Sequence, residues 1–280
     1  MARIRVVTDS ACDLSAALAE ERGITVVPLS IRFGSEEFVD GTTLSTNDFW
    51  KRCAASPVLP ETSAPSPGAF QEAFLAAADD GYDGVLCIDL SSGVSATYQA
   101  AVTASKAVGD RIPVRVIDSR SMTMGLGLMV LDIAELAATG ADLDQLSDRA
   151  HTLIPRTHVF GVVDTLEHLE KGGRIGGARA LLGSLLSIKP VVTLVDGVVE
   201  EESKQRTRGR SLRYLADKAK DSPSISRMAV SNGAAADIDD FLPMLDGVQI
   251  EHPLVVVDLG PVVGTHTGPG TVGLSFVTSD

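Results

Sequence analysis

Cysteine is scarce in this chain. Cys12, Cys53 and Cys87 are the only three in 280 residues. The number is odd and no C-x-x-C pair occurs, which argues against a disulfide framework or a zinc ribbon. Buried or half-buried thiols of a reducing compartment are the expectation. Positive charge is in deficit, with 24 Lys and Arg against 37 Asp and Glu, a net charge of −13. So acidic a protein repels nucleic acid and anionic membrane surfaces unless it carries a local basic patch. The uncharged run Leu259 to Ser279 is interrupted by Gly260, Pro261, Gly264, Gly268, Pro269, Gly270 and Gly273, so it reads as a looped segment and not a membrane helix. The N-terminus meets Asp9 too soon for the apolar stretch of a signal peptide. A cytoplasmic protein without a membrane span is expected. Familiar catalytic signatures are missing too. No HExxH or compact metal-ligand cluster occurs, and Gly125-Leu126-Gly127 lacks the third glycine of a dinucleotide fingerprint. Those glycines lie inside an apolar helix pattern and read as close helix packing.

What is present describes an ordinary globular protein: 44% apolar and 22% charged residues. At ~150 residues per domain, the length suggests about two domains. The first half alternates short β-branched runs (Ile4–Thr8, Ile24–Phe33, Val85–Leu90, Val114–Asp118) with helix patterns (Asp13–Glu21, Thr46–Ala55, Pro67–Ala78, Ser95–Val108, Ser121–Ala138). That rhythm marks βαβ units and a mainly parallel sheet. Trp50 reads as a core or domain-contact residue. In the second half, Ile188–Val195 and Val198–Lys204 flank Asp196-Gly197, a type I′ hairpin signal that implies antiparallel pairing. The helix patterns Thr207–Lys220 and Ala234–Leu245 alternate with further strands. The boundary is placed at 155/156, giving an N-terminal α/β domain over 1–155 and a C-terminal α/β domain over 156–280.

Four segments hold the unusual composition. Pro60 to Pro67 is a proline-fixed loop with three hydroxyls. It is either a linker whose Ser66 caps the next helix or a rigid anion-binding loop. Leu90 to Tyr98 follows a strand and opens a helix, where ligands of open α/β sheets sit. Its serines either cap the helix or bind a carboxylate or phosphate with the helix amides. Glu170 to Gly177 has four glycines in six residues and reads as a turn between two helices, since it does not fit a P-loop. Gly260 to Gly270 places His266 among threonines and glycines, which lets backbone approach a ligand closely. Gly93-Val94-Ser95-Ala96-Thr97 falls short of a nucleophile elbow, because Thr97 replaces the final glycine.

Taken in order, Thr8-Asp9-Ser10 with Asp13-Leu14, Thr62 to Ser66, Ser91 to Tyr98, Gly172-Gly173-Arg174-Ile175 and Gly264 to Gly270 resemble the DegV family over nearly the whole chain. Two departures are modest: Ala64 replaces a common Gln, and Val94-Ser95-Ala96-Thr97 replaces Leu-Ser-Gly-Thr. The resemblance implies an α/β fold of two domains, an N-terminal parallel-sheet domain and a C-terminal domain with a mixed or antiparallel sheet. One long-chain fatty acid of the palmitate, stearate or oleate class lies between them.

DegV proteins resemble the binding subunit of a bacterial fatty acid kinase. That subunit presents the acyl carboxylate to a separate ATP-using subunit and performs no chemistry alone. On this analogy Thr62, Ser63, Ser92, Ser95 and His266 bind the carboxylate. His266 donates a hydrogen bond, with charge assistance when protonated. Phe33, Gly93, Phe160, Arg174, Ile175, Thr265 and Thr267 are candidates for the tunnel and its loops, with Leu182 and Leu186 also on the tail side. Arg206 and Arg208, in a basic cluster on an acidic chain, become candidates for docking the kinase subunit. A monomer without cofactor or metal is expected. The competing readings are a serine-type acyl hydrolase using Ser95 and His266, and a lipid sensor with no kinase partner.

Overall fold

The computed structural model describes residues 2–279, apart from the side chains of residues 183–187. The chain begins with β1 (Ile4–Asp9), a 3-10 turn at Ser10–Cys12, α1 (Ala16–Glu21) and β2 (Ile24–Val27). Pro28 and Leu29 then break the single strand expected over 24–33, and β3 (Ser30–Phe33) starts afresh. It pairs antiparallel with β4 (Glu36–Val39), which the sequence pattern had not marked. After α2 (Thr46–Ala55), the supposed loop at 60–67 contains β5 (Glu61–Ser63), antiparallel to β3.

Next come α3 (Pro67–Asp79), β6 (Gly84–Asp89), α4 (Thr97–Ala107), β7 (Val114–Asp118), α5 (Thr123–Ala138) and α6 (Leu143–Leu153). Local chemistry writes several of these starts. Ser45 and Ser66 accept the N–H groups that open α2 and α3, and Asp142 with Gln145 forms a full capping box on α6.

Strands β2-β1-β6-β7 form an all-parallel sheet. Strand alternation divides its two faces. Val7, Val85 and Cys87 meet Phe70 and Phe74 of α3, while Val6, Leu86 and Ile88 meet the α5 side. The remaining elements are β8 (Thr157–Val162), α7 (Glu167–Lys171), β9 (Lys189–Val195), β10 (Val198–Gln205), α8 (Arg208–Lys220), β11 (Ile225–Gly233), α9 (Ile238–Phe241), β12 (Val255–Asp258), α10 (Pro261–Thr267) and β13 (Thr271–Thr278). A second sheet runs β10-β9-β8-β13-β11-β12, antiparallel except for the β11–β12 pair. Every strand of the parallel sheet thus ends by residue 118, and every strand of the mixed sheet starts at or after 157.

Between the two sheets lies α5, touching β1 and β6 on one side and β8, β11 and β13 on the other. Eleven of its 16 residues are buried. Its two glycines permit this. A Cβ on Gly125 would lie 2.3 Å from Val159 Cγ2, and one on Gly127 would lie 2.6 Å from the Cys12 carbonyl. The close packing expected of these glycines is therefore present on both faces of the helix. Arg227 of β11, only 8% exposed at its side chain, pairs with Glu135 of α5, and Arg149 holds Asp132 at 2.8 Å. Trp50 supplies a further contact between the halves, its Nε1 donating to the Leu259 carbonyl at 3.2 Å.

Gly260 and Pro261 do not keep the last segment looped. They stand at the N-cap and first turn of α10, positions that glycine and proline suit. No helix among the described residues is long and apolar enough to cross a membrane.

Candidate functional site

Thr62 sits on β5 opposite Ile31, half-buried, while Ser63 points to the other side and is exposed. His266 lies in the last turn of α10. Its Nε2 is 2.8 Å from Thr62 Oγ1. Burial pushes the imidazole pKa down to about 4, and the charges of Arg174 and His168 push the same way. His266 is therefore neutral near pH 7, and charge assistance from an imidazolium is disfavoured. Its Nδ1 is buried without a hydrogen-bond partner among the described residues.

The glycine-rich turn after α7 brings Arg174 alongside. Its Nη1 donates to the Gly172 carbonyl at 2.7 Å and its Nε to the Val94 carbonyl at 3.1 Å. Gly172 also leaves room for the imidazole, since a Cβ there would lie 2.3 Å from His266 Nδ1.

The loop after β6 separates its three serines. Ser91 is buried and donates to the Gly197 carbonyl at 2.7 Å. Ser92 is exposed and donates to Asp118 of β7. Ser95 Oγ lies 2.8 Å from Thr97 Oγ1 and accepts the Thr97 N–H at 3.3 Å.

Thr62, Ser95, Arg174, His266 and Thr267 line one narrow cleft, with a free volume of about 90 Å³. Most of its wall is apolar, with Leu90, Val94, Met122, Leu194, Val199 and Val263 among the contributors. Among the described lining residues, Arg174 is the only Lys or Arg. Thr62, Arg174 and His266 also line an adjoining polar cavity with Glu61, His168 and Lys171. These three side chains therefore stand where an apolar cleft meets a polar vestibule.

The structure gathers only part of the expected set. Ser63 and Ser92 do not line the cleft, and Gly93 instead abuts Gly197 and Val198. Phe160 borders the cleft, but its ring packs among Phe276, His158 and the α8 residues on the opposite side of the mixed sheet. Phe33 packs on Phe38 and Phe49. Ile175 and Leu182 belong to the cluster behind the wall formed by Leu169, Val192 and Val199, and the Leu186 side chain lies outside the described residues. Thr265 is buried with its hydroxyl on the Pro261 carbonyl at 2.8 Å.

Sequence reasoning missed Met122, Thr123, Leu194 and Val199 of the wall. The hairpin signal at 196–197 was the one available hint, since it pairs Val199 with Leu194. It also missed the cationic role open to Arg174. Arg206 is exposed. Arg208 is tied to Asp237 at 2.8 and 2.9 Å and to Asp164 at 3.2 Å.

A family model described as an uncharacterised protein of the DegV family matches residues 3–279. A DegV domain-containing protein of Streptomyces coelicolor is 36% identical over 279 residues, covering 97% of each chain. A fatty-acid-binding DegV family protein from Thermus thermophilus superposes with a TM-score of 0.90 at 30% identity, over 99% of this chain and 100% of that one. A stearic-acid-binding protein from Eubacterium ventriosum superposes with a TM-score of 0.84 at 28% identity, over 99% and 98%.

Proposed function

The chain belongs to the DegV family, and on that footing we propose that it binds one long-chain fatty acid, tail in the apolar cleft and carboxylate at its polar end. The observation that carries this reading is the change of lining at one place. An apolar wall gives way to Thr62, Ser95, His266 and Arg174 where the cleft meets the vestibule. A carboxylate there meets hydroxyl donors and the Arg174 guanidinium, and charge-assisted hydrogen bonds are the strong ones. Each methylene removed from water contributes ~0.8 kcal/mol. The fatty-acid binding of relatives with 28–30% identity supports the ligand class.

In this reading the protein performs no chemistry of its own and needs no cofactor. It holds the carboxylate toward the vestibule for a separate ATP-dependent kinase subunit that forms the acyl phosphate. Residues 1–155 and 156–280 act as two α/β units around the ligand, and the protein works as a cytoplasmic monomer. The hydrolase alternative fares worse. His266 Nε2 partners Thr62, and Ser95 Oγ partners Thr97, so the Ser95–His266 nucleophile–base pair that this reading requires is not assembled.

Native mass spectrometry of the protein purified from its expression host, followed by denaturing extraction, tests the proposal. A mass excess of one long-chain fatty acid, lost in Thr62→Ala with Ser95→Ala, is the expected result. A protein that stays empty when palmitate or oleate is added overturns it. Ester turnover by the pure protein would restore the hydrolase.

A further inference from the structure

The Asp196-Gly197 turn joining β9 and β10 reaches across to the loop after β6. Asp196 has φ 49° and Gly197 φ 80°, as a type I′ turn requires. The Gly197 carbonyl accepts a hydrogen bond from Ser91 Oγ, and Ser91 Oγ in turn accepts the Gly93 N–H at 3.1 Å. The fit has no slack. A Cβ on Gly197 would lie 2.2 Å from Ser91 Oγ, and one on Gly93 would lie 2.8 Å from the Gly197 carbonyl oxygen. Outside this seat, Arg120 and Asp196 pair at 3.4 Å with both side chains more than half exposed.

The hairpin is also a wall of the cleft. Leu194 and Val199, paired across it, line the cleft opposite Val94 of the receiving loop. Strand β10 is an edge strand, hydrogen-bonded within the sheet only to β9. The tip can therefore lift without disturbing β8 or the strands beyond it, as low-stability elements at ligand sites do. We propose that the β9–β10 hairpin is a latch on the cleft. The Ser91–Gly197 hydrogen bond is its catch, and ligand exchanges between the hairpin and the 91–95 loop when the catch opens. This rests on the reading of the cleft as a fatty-acid site.

The test follows ligand exchange. Protein loaded with deuterated palmitate is mixed with excess unlabelled palmitate and sampled by native mass spectrometry. Ser91→Ala removes one neutral hydrogen bond of ordinary strength, so exchange should run about 5-fold faster. A second variant locks the catch. The Ser91 Cβ lies 3.3 Å from a Cβ built on Gly197, close to disulfide spacing. Ser91→Cys with Gly197→Cys, in a Cys53→Ser background, should exchange at least tenfold more slowly when oxidised and recover with reductant. The oxidised and reduced forms are the same polypeptide, so a folding defect does not mimic the result. Equal rates in the oxidised and reduced pair, with Ser91→Ala matching the parent, overturn the latch and assign exchange to the vestibule. A parent protein that takes up no palmitate overturns the ligand reading itself, before any variant is compared.

Discussion

Thr62 Oγ1 and His266 Nε2 meet at 2.8 Å although 204 residues separate them. The bond joins β5 to α10 at the mouth of the cleft. With Nδ1 unpaired and buried, the tautomer protonated on Nε2 leaves no buried N–H without an acceptor. His266 then donates to Thr62, and the Thr62 hydroxyl proton is free to face a ligand oxygen. Thr62→Ser should retain fatty acid. Thr62→Val should lose it by tenfold or more, because an oriented donor is gone and His266 Nε2 is orphaned at a cost of ~1–3 kcal/mol. Occupancy by native mass spectrometry checks this, and equal occupancy in the two variants would contradict the relay.

Gly172 shapes the same imidazole from behind. Gly172→Ala places a methyl 2.3 Å from His266 Nδ1 and 2.9 Å from the His168 carbonyl. The ring must shift, so palmitate binding should weaken roughly 5- to 150-fold, as ~1–3 kcal/mol of overpacking implies. Circular dichroism should stay unchanged. Unaltered affinity in a folded variant would show that the ring position does not matter.

Two glycine substitutions should move stability in opposite directions. Gly125→Ala drives a methyl into Ser121 Oγ and Val159 Cγ2, both at 2.3 Å. A loss of ~1–3 kcal/mol is expected, lowering Tm by roughly 2–12 °C for a chain of this size. Gly209, near the start of α8, has nothing within 4 Å of a Cβ. Gly209→Ala should stabilise by ~0.5–1 kcal/mol through helix propensity. Thermal unfolding of the two variants beside the parent decides both.

Stability should fall as pH rises from 6.5 to 8.5. Burial pushes the Asp13 carboxyl up to about 8 and Asp40 up to about 6, and Asp9 moves in the same direction. Between the ordinary value near 4 and the raised one, the native state holds more protons than the unfolded chain, so rising pH destabilises it. His266 works the other way. Its pKa is depressed to about 4, so falling pH destabilises the fold between 6.5 and 4. The effects oppose each other below pH 6.5. Above it the carboxyls still protonated in the native state act, at up to ~1.4 kcal/mol per pH unit for each, and the buried Cys12 and Cys87 thiols, raised by burial, push the same way toward pH 8.5. Asp13→Asn can keep its links to Thr123 and Gly260 and should flatten the decline. Tm measured against pH, rising or flat over this interval in the parent, would contradict the assignment.

Arg206 is exposed and has no ion pair among the described residues, whereas Arg208 is anchored by Asp237 and Asp164. Arg206→Glu should leave stability within ~0.5 kcal/mol and leave fatty acid binding intact. With a cognate kinase subunit and ATP it should sharply reduce acyl-phosphate formation. Full acyl-phosphate formation by this variant would remove Arg206 from the docking surface. Arg208→Glu should destabilise the fold outright.

Legibility in the sequence followed the range of the interactions. Helices α2, α3 and α8 were marked within two residues because their N-caps, Ser45, Ser66 and Thr207, act locally. The hairpin at Asp196-Gly197 carried its turn chemistry in two residues. Helix α10 was hidden, since its glycines and prolines read as loop until Gly260 and Pro261 are seen to start it. Strand β5 was hidden between prolines, its pairing with β3 being a distant contact. The serines after β6 look equivalent in sequence. Only the positions of Gly197 and Asp118 decide that Ser91 and Ser92 turn away while Ser95 reaches the cleft.

The place of α5 between two sheets has a consequence for synthesis of the chain. Ribosomes make the parallel sheet and α5 before any strand of the mixed sheet exists. When the first 155 residues have emerged, the side of α5 that β8, β11 and β13 will cover is bare to water. The first half of the chain therefore waits, unfinished and prone to stick, for its second half. Arg227 arrives late as well, after Asp132 and Glu135 have spent some 90 residues of translation without it.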